Sequence, residues 1–149
     1  IGRYLSVPYD KISEALTTWE PRNNRSQWLA HRGHGVVLDA YNANPTSMSA
    51  AVNAFANTSN DNKVAILGDM LELGEEAHKE HLAMIALLKK LNLQAYLVGP
   101  EFVKCSSSFK SFLNALELKE YLQESSLVDY HVLIKGSRGI KLETLKEVL

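Results

Sequence analysis

The feature that most constrains this chain is a repeated switch between strand-like and helix-like hydrophobic periods. Short apolar runs rich in β-branched residues occur at residues 36–41, 63–68, 95–99 and 131–136, and read VVLDAY, KVAILG, AYLVG and HVLIKG. Stretches with apolar residues at helical spacing lie between them and after the last one. Strands that alternate with helices predict a Rossmann-like α/β fold, with a mostly parallel sheet and helices on both faces. Almost wholly apolar strands fit that arrangement, because both faces of the sheet are then covered.

Helix signals lie between these strands and at both ends of the chain. Asn44 can cap a helix that has Pro45 at its first position, because its side chain accepts a hydrogen bond from a free N–H. Asn114 followed by Glu117 resembles a capping box. The patterns predict helices over residues 6–19, 45–55, 75–91, 114–123 and 142–149, and a further short strand over residues 106–112.

Charge and cysteine content narrow the class of protein. The 149 residues include 16 Lys and Arg against 17 Asp and Glu, so the net charge of −1 creates no field that gathers nucleic acid or anionic lipid. The one cysteine, Cys105, cannot form an internal disulfide, which is typical of a reducing compartment. No apolar stretch reaches the roughly 18 residues of a membrane span. We therefore expect a cytoplasmic domain without nucleic-acid or membrane partners.

The polar segment EPRNNRSQ at residues 20–27 predicts a linker. It follows the helix expected over 6–19 and precedes the first strand, so we interpret it as the seam between a preceding unit and the main domain. Trp19 and Trp28 flank this seam and are expected to pack there. The first residue is not Met, so we expect a fragment or a processed chain.

Polar side chains collect where the expected strands stop. In an open α/β sheet, ligands bind outside the carboxyl ends of the strands. We therefore expect these loops to lie side by side and to form one ligand-binding edge. The residues are Asp39, Tyr41, Asn42 and Asn44 after the first strand, Gly68 and Asp69 after the second, Gly99 and Glu101 after the third, and Lys135, Ser137 and Arg138 after the last.

Each of these loops has a structural alternative. Asp39 and the asparagines fit either a tight turn with a helix cap or an edge where a carboxylate accepts ribose hydroxyls. The KGSRG segment fits either a solvated basic turn or an anion site, where glycines admit the backbone and Lys135 and Arg138 supply charge. Tyr41 fits either a core position or an aromatic platform. The GxxxxGK[ST] phosphate loop does not occur in the sequence.

A metal site is the weaker reading of two histidines. His78 and His81 share a face of the helix expected over 75–91, and Asp69 or Glu72 could add a further ligand. His81 also continues the apolar stripe of that helix, which favours a packed, hydrogen-bonded core histidine. We therefore predict no metal ligands in this chain.

Three motifs occur in order, each in a strand–turn–helix context. They are DAYNANPTSM at 39–48, ILGDMLELG at 66–74 and IKGSRGIKLE at 134–143. Together they resemble the C-terminal domain of the Mur ligases, and NNRSQ resembles that family's junction with its central domain. The resemblance covers residues 7–149.

This resemblance implies a domain division and a chemistry. Residues 1–24 would be the tail of the central ATPase domain with the linker, and residues 25–149 the C-terminal domain. The family transfers the γ-phosphate of ATP to a carboxylate, and an amine then attacks the acyl phosphate. YNANP and KGSRG resemble the branch that adds D-alanyl-D-alanine to UDP-N-acetylmuramoyl-tripeptide for peptidoglycan synthesis in the bacterial cytoplasm. ATP and Mg²⁺ are implied, with the metal ligands in the central domain, so this chain alone is expected to be inactive.

Residue roles are implied by the same resemblance. Arg25 would reach the nucleotide phosphates and Asp39 the ribose, and the nucleotide edge would be completed by Tyr41, Asn42 and Asn44. The last loop would face the reacting centre and the incoming dipeptide through Lys135, Ser137 and Arg138. The second loop and its helix are matched by Asp69, Glu72 and His81. Two alternatives stay open: a non-catalytic nucleotide-binding or regulatory module, and a folylpolyglutamate- or cyanophycin-type ligase with another substrate.

Overall fold

A computed structural model describes residues 1–19, 24–31, 34–105, 108–125, 127 and 129–149. The helices are α1 (Tyr9–Thr18), α2 (Pro45–Ala56), α3 (Ala77–Lys90), α4 (Pro100–Lys104) and α5 (Ala115–Glu124). The strands are β1 (Gln27–His31), β2 (His34–Asp39), β3 (Lys63–Gly68), β4 (Gln94–Val98), β5 (Lys110–Phe112) and β6 (His131–Lys135). Short 3₁₀ segments occupy Gly74–Glu76, Arg138–Ile140 and Leu142–Glu147.

The strands form a six-stranded sheet in the order β1-β2-β6-β3-β4-β5. All the neighbouring pairs are parallel except β1 and β2, which are antiparallel. The expected Rossmann-like fold with a mostly parallel sheet is therefore confirmed. Asp39 of β2 and Leu67 of β3 both lie opposite Lys135 of β6. The carboxyl ends of these three central strands thus meet at one edge, where the sequence places its polar loops.

Buried apolar side chains cover both faces of the sheet. On one face, Ala65 and Leu67 of β3 belong to a core that includes Met48 and other residues of α2, α3 and α4. On the other face, Val64 and Ile66 belong to a core with α5 and the last 3₁₀ segment. Successive residues of one strand thus serve opposite layers, which explains why the central strands contain so few polar residues.

The predicted helix signals are confirmed at α2 and α5. Asn44 Oδ1 accepts the N–H of Ser47 at 2.8 Å, Ser47 Oγ accepts the N–H of Asn44 at 3.2 Å, and α2 begins with proline. At α5, Asn114 Oδ1 accepts the N–H of Glu117 at 3.0 Å. These bonds satisfy N–H groups that a helix start leaves free. They fix the start of α2 directly after the polar loop that follows β2.

Several elements differ from the sequence prediction. β1 lies partly in the expected linker, whose residues 20–23 fall outside the described part of the chain. No helix is expected at α4, and the strand expected over 106–112 is reduced to β5, with residues 106–107 outside the described part. The last helix is 3₁₀ rather than α. Left-handed Lys141, at φ 60°, lies just before this segment and separates it from the 3₁₀ turn Arg138–Ile140.

The amino-terminal segment, residues 1–19, is mostly exposed to solvent. No residue of α1 is buried, and Trp19 and Trp28 are 67% and 58% exposed. Trp28 nevertheless lies beside His131 of β6, with the ring centroids 6.2 Å apart, whereas no ring contact of Trp19 occurs in the part of the chain that the structure describes. Among the described residues, no helix combines the length and apolarity that a membrane crossing requires.

Candidate functional site

The first group of predicted site residues meets at the ends of β2 and β6. Parallel pairing sets Asp39 beside Lys135. Lys135 Nζ donates to Asp39 Oδ2 at 2.5 Å and to the carbonyl of Asn42 at 3.2 Å. Lys135 is only 2% exposed, so its ammonium group lies beneath the rim of the site. The ion pair neutralises this buried ammonium and holds the carboxylate in one orientation.

The other oxygen of Asp39 fastens the segment before β1 to the end of β2. Asp39 Oδ1 accepts the backbone N–H of Ser26 at 3.2 Å. Lys146 Nζ donates to Asn24 Oδ1 at 3.2 Å. Asn24 and Ser26 have φ values of 58° and 44°, so the backbone turns sharply on both sides of Arg25. These contacts hold Arg25 at the site.

Two arginines face the ring of Tyr41. The Cζ atom of Arg25 lies 3.8 Å from the ring centroid, and the Cζ atom of Arg138 lies 5.7 Å from it. Both distances are within the range of cation–π attraction. Tyr41 is 38% exposed. It is therefore an aromatic platform and not a core residue.

A cavity of about 450 Å³ opens beside this ring. Two guanidinium groups at one cavity create a positive potential that attracts anions. Three of the lining residues, Asn24, Ala40 and Glu143, are not among the predicted site residues. Glu143 closes the motif IKGSRGIKLE, which is the signal that could have included it. The cavity is lined by Asn24, Arg25, Ala40, Tyr41, Arg138 and Glu143.

Ser137 is buried and bonds to the protein's own backbone. Its Oγ accepts the N–H of Leu71 at 2.9 Å, and its N–H donates to the carbonyl of Asp69 at 3.2 Å. These bonds tie the loop after β6 to the loop after β3. The next residue, Arg138, is exposed and lies toward Tyr41. The loop therefore presents Arg138, and not Ser137, to the cavity.

The two predicted asparagines also make structural bonds. Asn44 caps α2, and Asn42 Oδ1 accepts the N–H of Ala43 at 2.8 Å. Both asparagines are exposed, in the loop that follows Asp39. The turn-and-cap alternative therefore holds for the side-chain oxygens of both asparagines.

Asp69 and His81 stabilise the neighbouring loop from inside. The fully buried Asp69 carboxylate accepts the N–H groups of Glu101 at 2.8 Å and Phe102 at 3.0 Å, at the start of α4. His81 is also fully buried, and its Nε2 accepts the N–H of Met70 at 3.2 Å. The predicted core histidine is thus confirmed, and it supports the loop after β3.

The surroundings of His81 set its protonation. Burial lowers its pKa, but three neighbours together raise it by more, so the net pKa lies above the ordinary value. They are the Asp69 carboxylate, 3.4 Å from Nε2, the Ala77 carbonyl, which accepts from Nδ1 at 2.6 Å, and the Glu101 carboxylate. Within the described residues, no group of three or more His, Cys, Asp or Glu side chains is placed to hold a metal ion.

A family comparison covers this site apart from Glu143. Residues 24–138 match the family model described as Mur ligase, glutamate ligase domain. The chain belongs to the Mur ligase family. The matched range runs from Asn24 at the cavity to Arg138 on the last loop, and so contains every predicted site residue of this Mur ligase domain.

A curated relative points to one branch of the family. The UDP-N-acetylmuramoyl-tripeptide–D-alanyl-D-alanine ligase of Treponema pallidum is 34% identical, over 100% of this chain and 34% of that protein. The Mur ligase domain described here therefore spans about a third of that relative's length.

Solved structures agree on the fold. MurF from Acinetobacter baumannii superimposes with a TM-score of 0.81 at 28% identity, over 98% of this chain and 34% of that chain. MurF from Thermotoga maritima in complex with ADP gives a TM-score of 0.81 at 24% identity, over 99% of this chain and 34% of that chain. At 24% identity, the match to the Thermotoga maritima structure is evidence for the fold of this Mur ligase domain and for nothing more.

Proposed function

We propose that this chain is part of a longer ATP-dependent ligase. In this proposal residues 25–149 form its C-terminal domain, and residues 1–24 are the tail of the preceding central ATPase domain with the linker. The family match over residues 24–138 and the share of about 34% of the relative's length support this division. The central domain is then the first partner of this chain.

The proposed reaction joins D-alanyl-D-alanine to UDP-N-acetylmuramoyl-tripeptide in bacterial cytoplasm. A carboxylate oxygen of the tripeptide attacks the γ-phosphorus of ATP, and ADP leaves. The dipeptide amine then attacks the acyl carbon, the carbon–oxygen bond to phosphate breaks, and an amide forms. Phosphorylation is needed because a carboxylate is a poor electrophile. The identity of 34% to a ligase with this name supports this substrate pair over the folylpolyglutamate alternative.

The observation that carries this proposal is the convergence of Arg25 and Arg138 on the Tyr41 ring beside the cavity. Fixed cations stabilise the negative charge that develops on a transferring phosphoryl group, because they need no reorganisation when the charge appears. In our proposal Arg25 reaches the nucleotide phosphates, and Tyr41 forms part of the nucleotide edge. Arg138 faces the incoming dipeptide beside the reacting centre.

Asp39 is the proposed contact to the ribose. Both of its oxygens already accept one bond, from Lys135 and from Ser26. A carboxylate has roughly four lone-pair sites, so each oxygen keeps capacity for a ribose hydroxyl. Lys135 is buried, and we propose that it acts through Asp39 by fixing the carboxylate. The exposed Asn42 and Asn44 complete this edge.

Ser137 also acts indirectly in this proposal. Its hydroxyl oxygen accepts the N–H of Leu71. This bond fixes the position of the neighbouring Arg138 relative to the loop after β3. Mg²⁺ binding is assigned to the central domain, since the described residues offer no group of acids and histidines suited to it. No step of the proposal for this chain therefore passes through the metal, and we expect the isolated chain to release no phosphate from ATP.

The ribose role is tested with Asp39→Asn in the full-length ligase. An alanine would leave the buried Lys135 ammonium without its partner, which costs about 3–5 kcal/mol, whereas asparagine keeps the shape and one acceptor oxygen. We expect the KM for ATP to rise roughly tenfold, as for the loss of one charged hydrogen bond. Steady-state kinetics with varied ATP measures this. An unchanged KM for ATP contradicts the ribose contact.

The role of the last loop is tested with Arg138→Ala in the same enzyme. We expect kcat to fall while the melting temperature stays close to that of the wild type, because Arg138 is exposed and packs in no core. Lys90→Ala removes an exposed cation at the end of α3, away from the cavity, and serves as the control. If Arg138→Ala lowers only the melting temperature, KGSRG is a structural turn and the proposal for this loop is wrong.

A further inference from the structure

One carboxylate oxygen at the cavity has no hydrogen bond within the described part of the chain. This atom is Oε2 of Glu143, and it is buried. Buried polar atoms in folded proteins nearly always have a partner, because water is lost without compensation otherwise. A carboxylate oxygen in this condition therefore suits a donor that a ligand brings to the cavity.

The chain path directs Glu143 to the same cavity as Arg138. Left-handed Lys141, at φ 60°, separates the two 3₁₀ segments, so Arg138 and Glu143 stand on consecutive segments. Leu142, just before Glu143, is fully buried and anchors the second segment in the core. Glu143 and Arg138 both line the cavity of about 450 Å³. The buried Leu142 thus fixes the position of Glu143 at the cavity.

The cavity combines cations with one unsatisfied carboxylate. A carboxylate only accepts hydrogen bonds, and a positively charged donor gives the strongest of them. The guanidinium of Arg138 suits a carboxylate of the ligand in the same way. A zwitterion satisfies both groups at once, and D-alanyl-D-alanine carries an ammonium group at one end and a carboxylate at the other. The cavity volume lies within the roughly 300–1,000 Å³ that small-ligand sites occupy.

We propose that Glu143 binds the α-ammonium group of the incoming dipeptide, while Arg138 faces its carboxylate. This inference rests on the proposed function and names the residue that selects a free amino terminus. Glu143 orients this nitrogen, which attacks the acyl carbon after the ammonium group has lost a proton to water. Its role is in binding, and no proton transfer is assigned to it.

The test compares two ligands in full-length ligase with a non-hydrolysable ATP analogue and UDP-N-acetylmuramoyl-tripeptide present. The ligands are D-alanyl-D-alanine and propionyl-D-alanine, which has hydrogen in place of the amino group, and calorimetry measures both affinities. We expect the wild type to prefer the dipeptide roughly 10- to 100-fold, as for one charged hydrogen bond. Glu143→Gln should reduce this preference to a few-fold (about 2–5) because an amide oxygen accepts without charge.

Glu147→Gln is the matched control. Glu147 is an exposed glutamate of the same 3₁₀ segment and is paired with Lys119. We expect this variant to keep the wild-type preference, while melting curves show that both variants are folded. A full amine preference in Glu143→Gln overturns the inference. So does a wild type without any amine preference, or a Glu143→Gln variant that loses affinity only for the ATP analogue.

Turnover separates this inference from the proposed function. If the wild type ligates the dipeptide but its amine preference does not depend on Glu143, the inference is wrong and the proposed function stands. If dipeptide binding depends on Glu143 but ATP drives no ligation, the inference is supported and the proposed function fails.

Discussion

Gly99 and Asp69 are packed so closely that a methyl group does not fit between them. A Cβ atom added at Gly99 would lie 2.3 Å from Asp69 Cγ, and the φ of Gly99 is +127°. The Asp69 carboxylate cannot retreat freely, since it caps α4 through the N–H groups of Glu101 and Phe102. Residue 99 therefore has to be glycine for both conformational and steric reasons.

The first prediction concerns Gly99→Ala. We expect it to lower the free energy of unfolding by about 3–5 kcal/mol, which combines backbone strain with weakened charged hydrogen bonds. Urea unfolding measures the change. Gly74→Ala is the matched control, because Gly74 has φ +55° and nothing lies within 4 Å of the added Cβ. The control should lose only about 1–2 kcal/mol. Equal losses in the two variants would contradict the steric role of Asp69.

At the scale of elements, three successive N–H groups attach the loop after β3 to three different parts of the fold. Asp69 N–H donates to Val98 of β4 at 2.9 Å. The N–H of Met70 donates to His81 of α3, and that of Leu71 to Ser137 after β6. The loop beside the site is therefore held by the elements around it.

The second prediction concerns the protonation of His81, whose Nε2 accepts the N–H of Met70 only while the ring is neutral and pairs with the Asp69 carboxylate when the ring is protonated. The pKa of His81 is raised in the folded chain above the ordinary 6.5. The folded state then binds the proton more tightly than the unfolded state. The resulting stabilisation is fully present below pH 6.5 and is lost as the pH rises through the folded pKa. We expect the urea midpoint of the wild type to fall across that range, and His81→Phe to lack this component.

His78→Gln is the control for this titration. His78 is exposed and stands on the same helix, so its removal should leave the pH-dependent fall of the midpoint in place. A wild type and a His81→Phe variant with parallel pH profiles would show that the Asp69 carboxylate does not raise the pKa of His81.

Local sequence signals predict the elements that depend on local interactions. The apolar runs identify four parallel strands, and Asn44 and Asn114 mark the starts of α2 and α5. By contrast, α4 depends on the Asp69 carboxylate, 32 residues before Glu101 in sequence. β1 is an edge strand of mixed polarity, and its pairing with β2 is a tertiary event. These contacts join residues that are far apart in sequence and leave no hydrophobic periodicity, so the sequence does not reveal them.

The contacts of the site also fall into those that the sequence indicates and those that it does not. The sequence predicts that Asp39 and Lys135 lie along the same edge of the sheet, and the parallel pairing of β2 and β6 places them side by side there. Neither the bond of Asp39 to Ser26 nor the unsatisfied Glu143 oxygen follows from any spacing. Both depend on turns at non-glycine residues with positive φ, such as Ser26 and Lys141. Sequence patterns seldom mark such residues, because left-handed conformations are uncommon outside glycine.

At the scale of the whole molecule, the amino-terminal segment is the part least covered by the rest of the chain. Tyr4, Tyr9, Leu16 and Trp19 are 90%, 79%, 73% and 67% exposed. A cluster of exposed large apolar side chains is typical of a surface that another protein part covers. This agrees with our proposal that residues 1–24 belong to a preceding domain. The segment should therefore be buried in the full-length ligase.

The last prediction follows from this exposure and uses Trp19 as its reporter. In Trp28→Phe variants of the 149-residue chain and of the full-length ligase, Trp19 is the tryptophan of this region. We expect acrylamide to quench Trp19 strongly in the chain alone and weakly in the full-length protein, since a preceding domain would shield it from solvent. The quenching of a variant that lacks both Trp19 and Trp28 is subtracted, so that tryptophans elsewhere in the full-length protein do not contribute to this signal.

Trp19→Phe variants are the control, because they report on Trp28 of the edge strand and show whether a change is specific to the segment that contains Trp19. Equal quenching of Trp19 in both proteins would mean that α1 is not part of the preceding domain, and the proposed boundary at residue 24 would then be wrong.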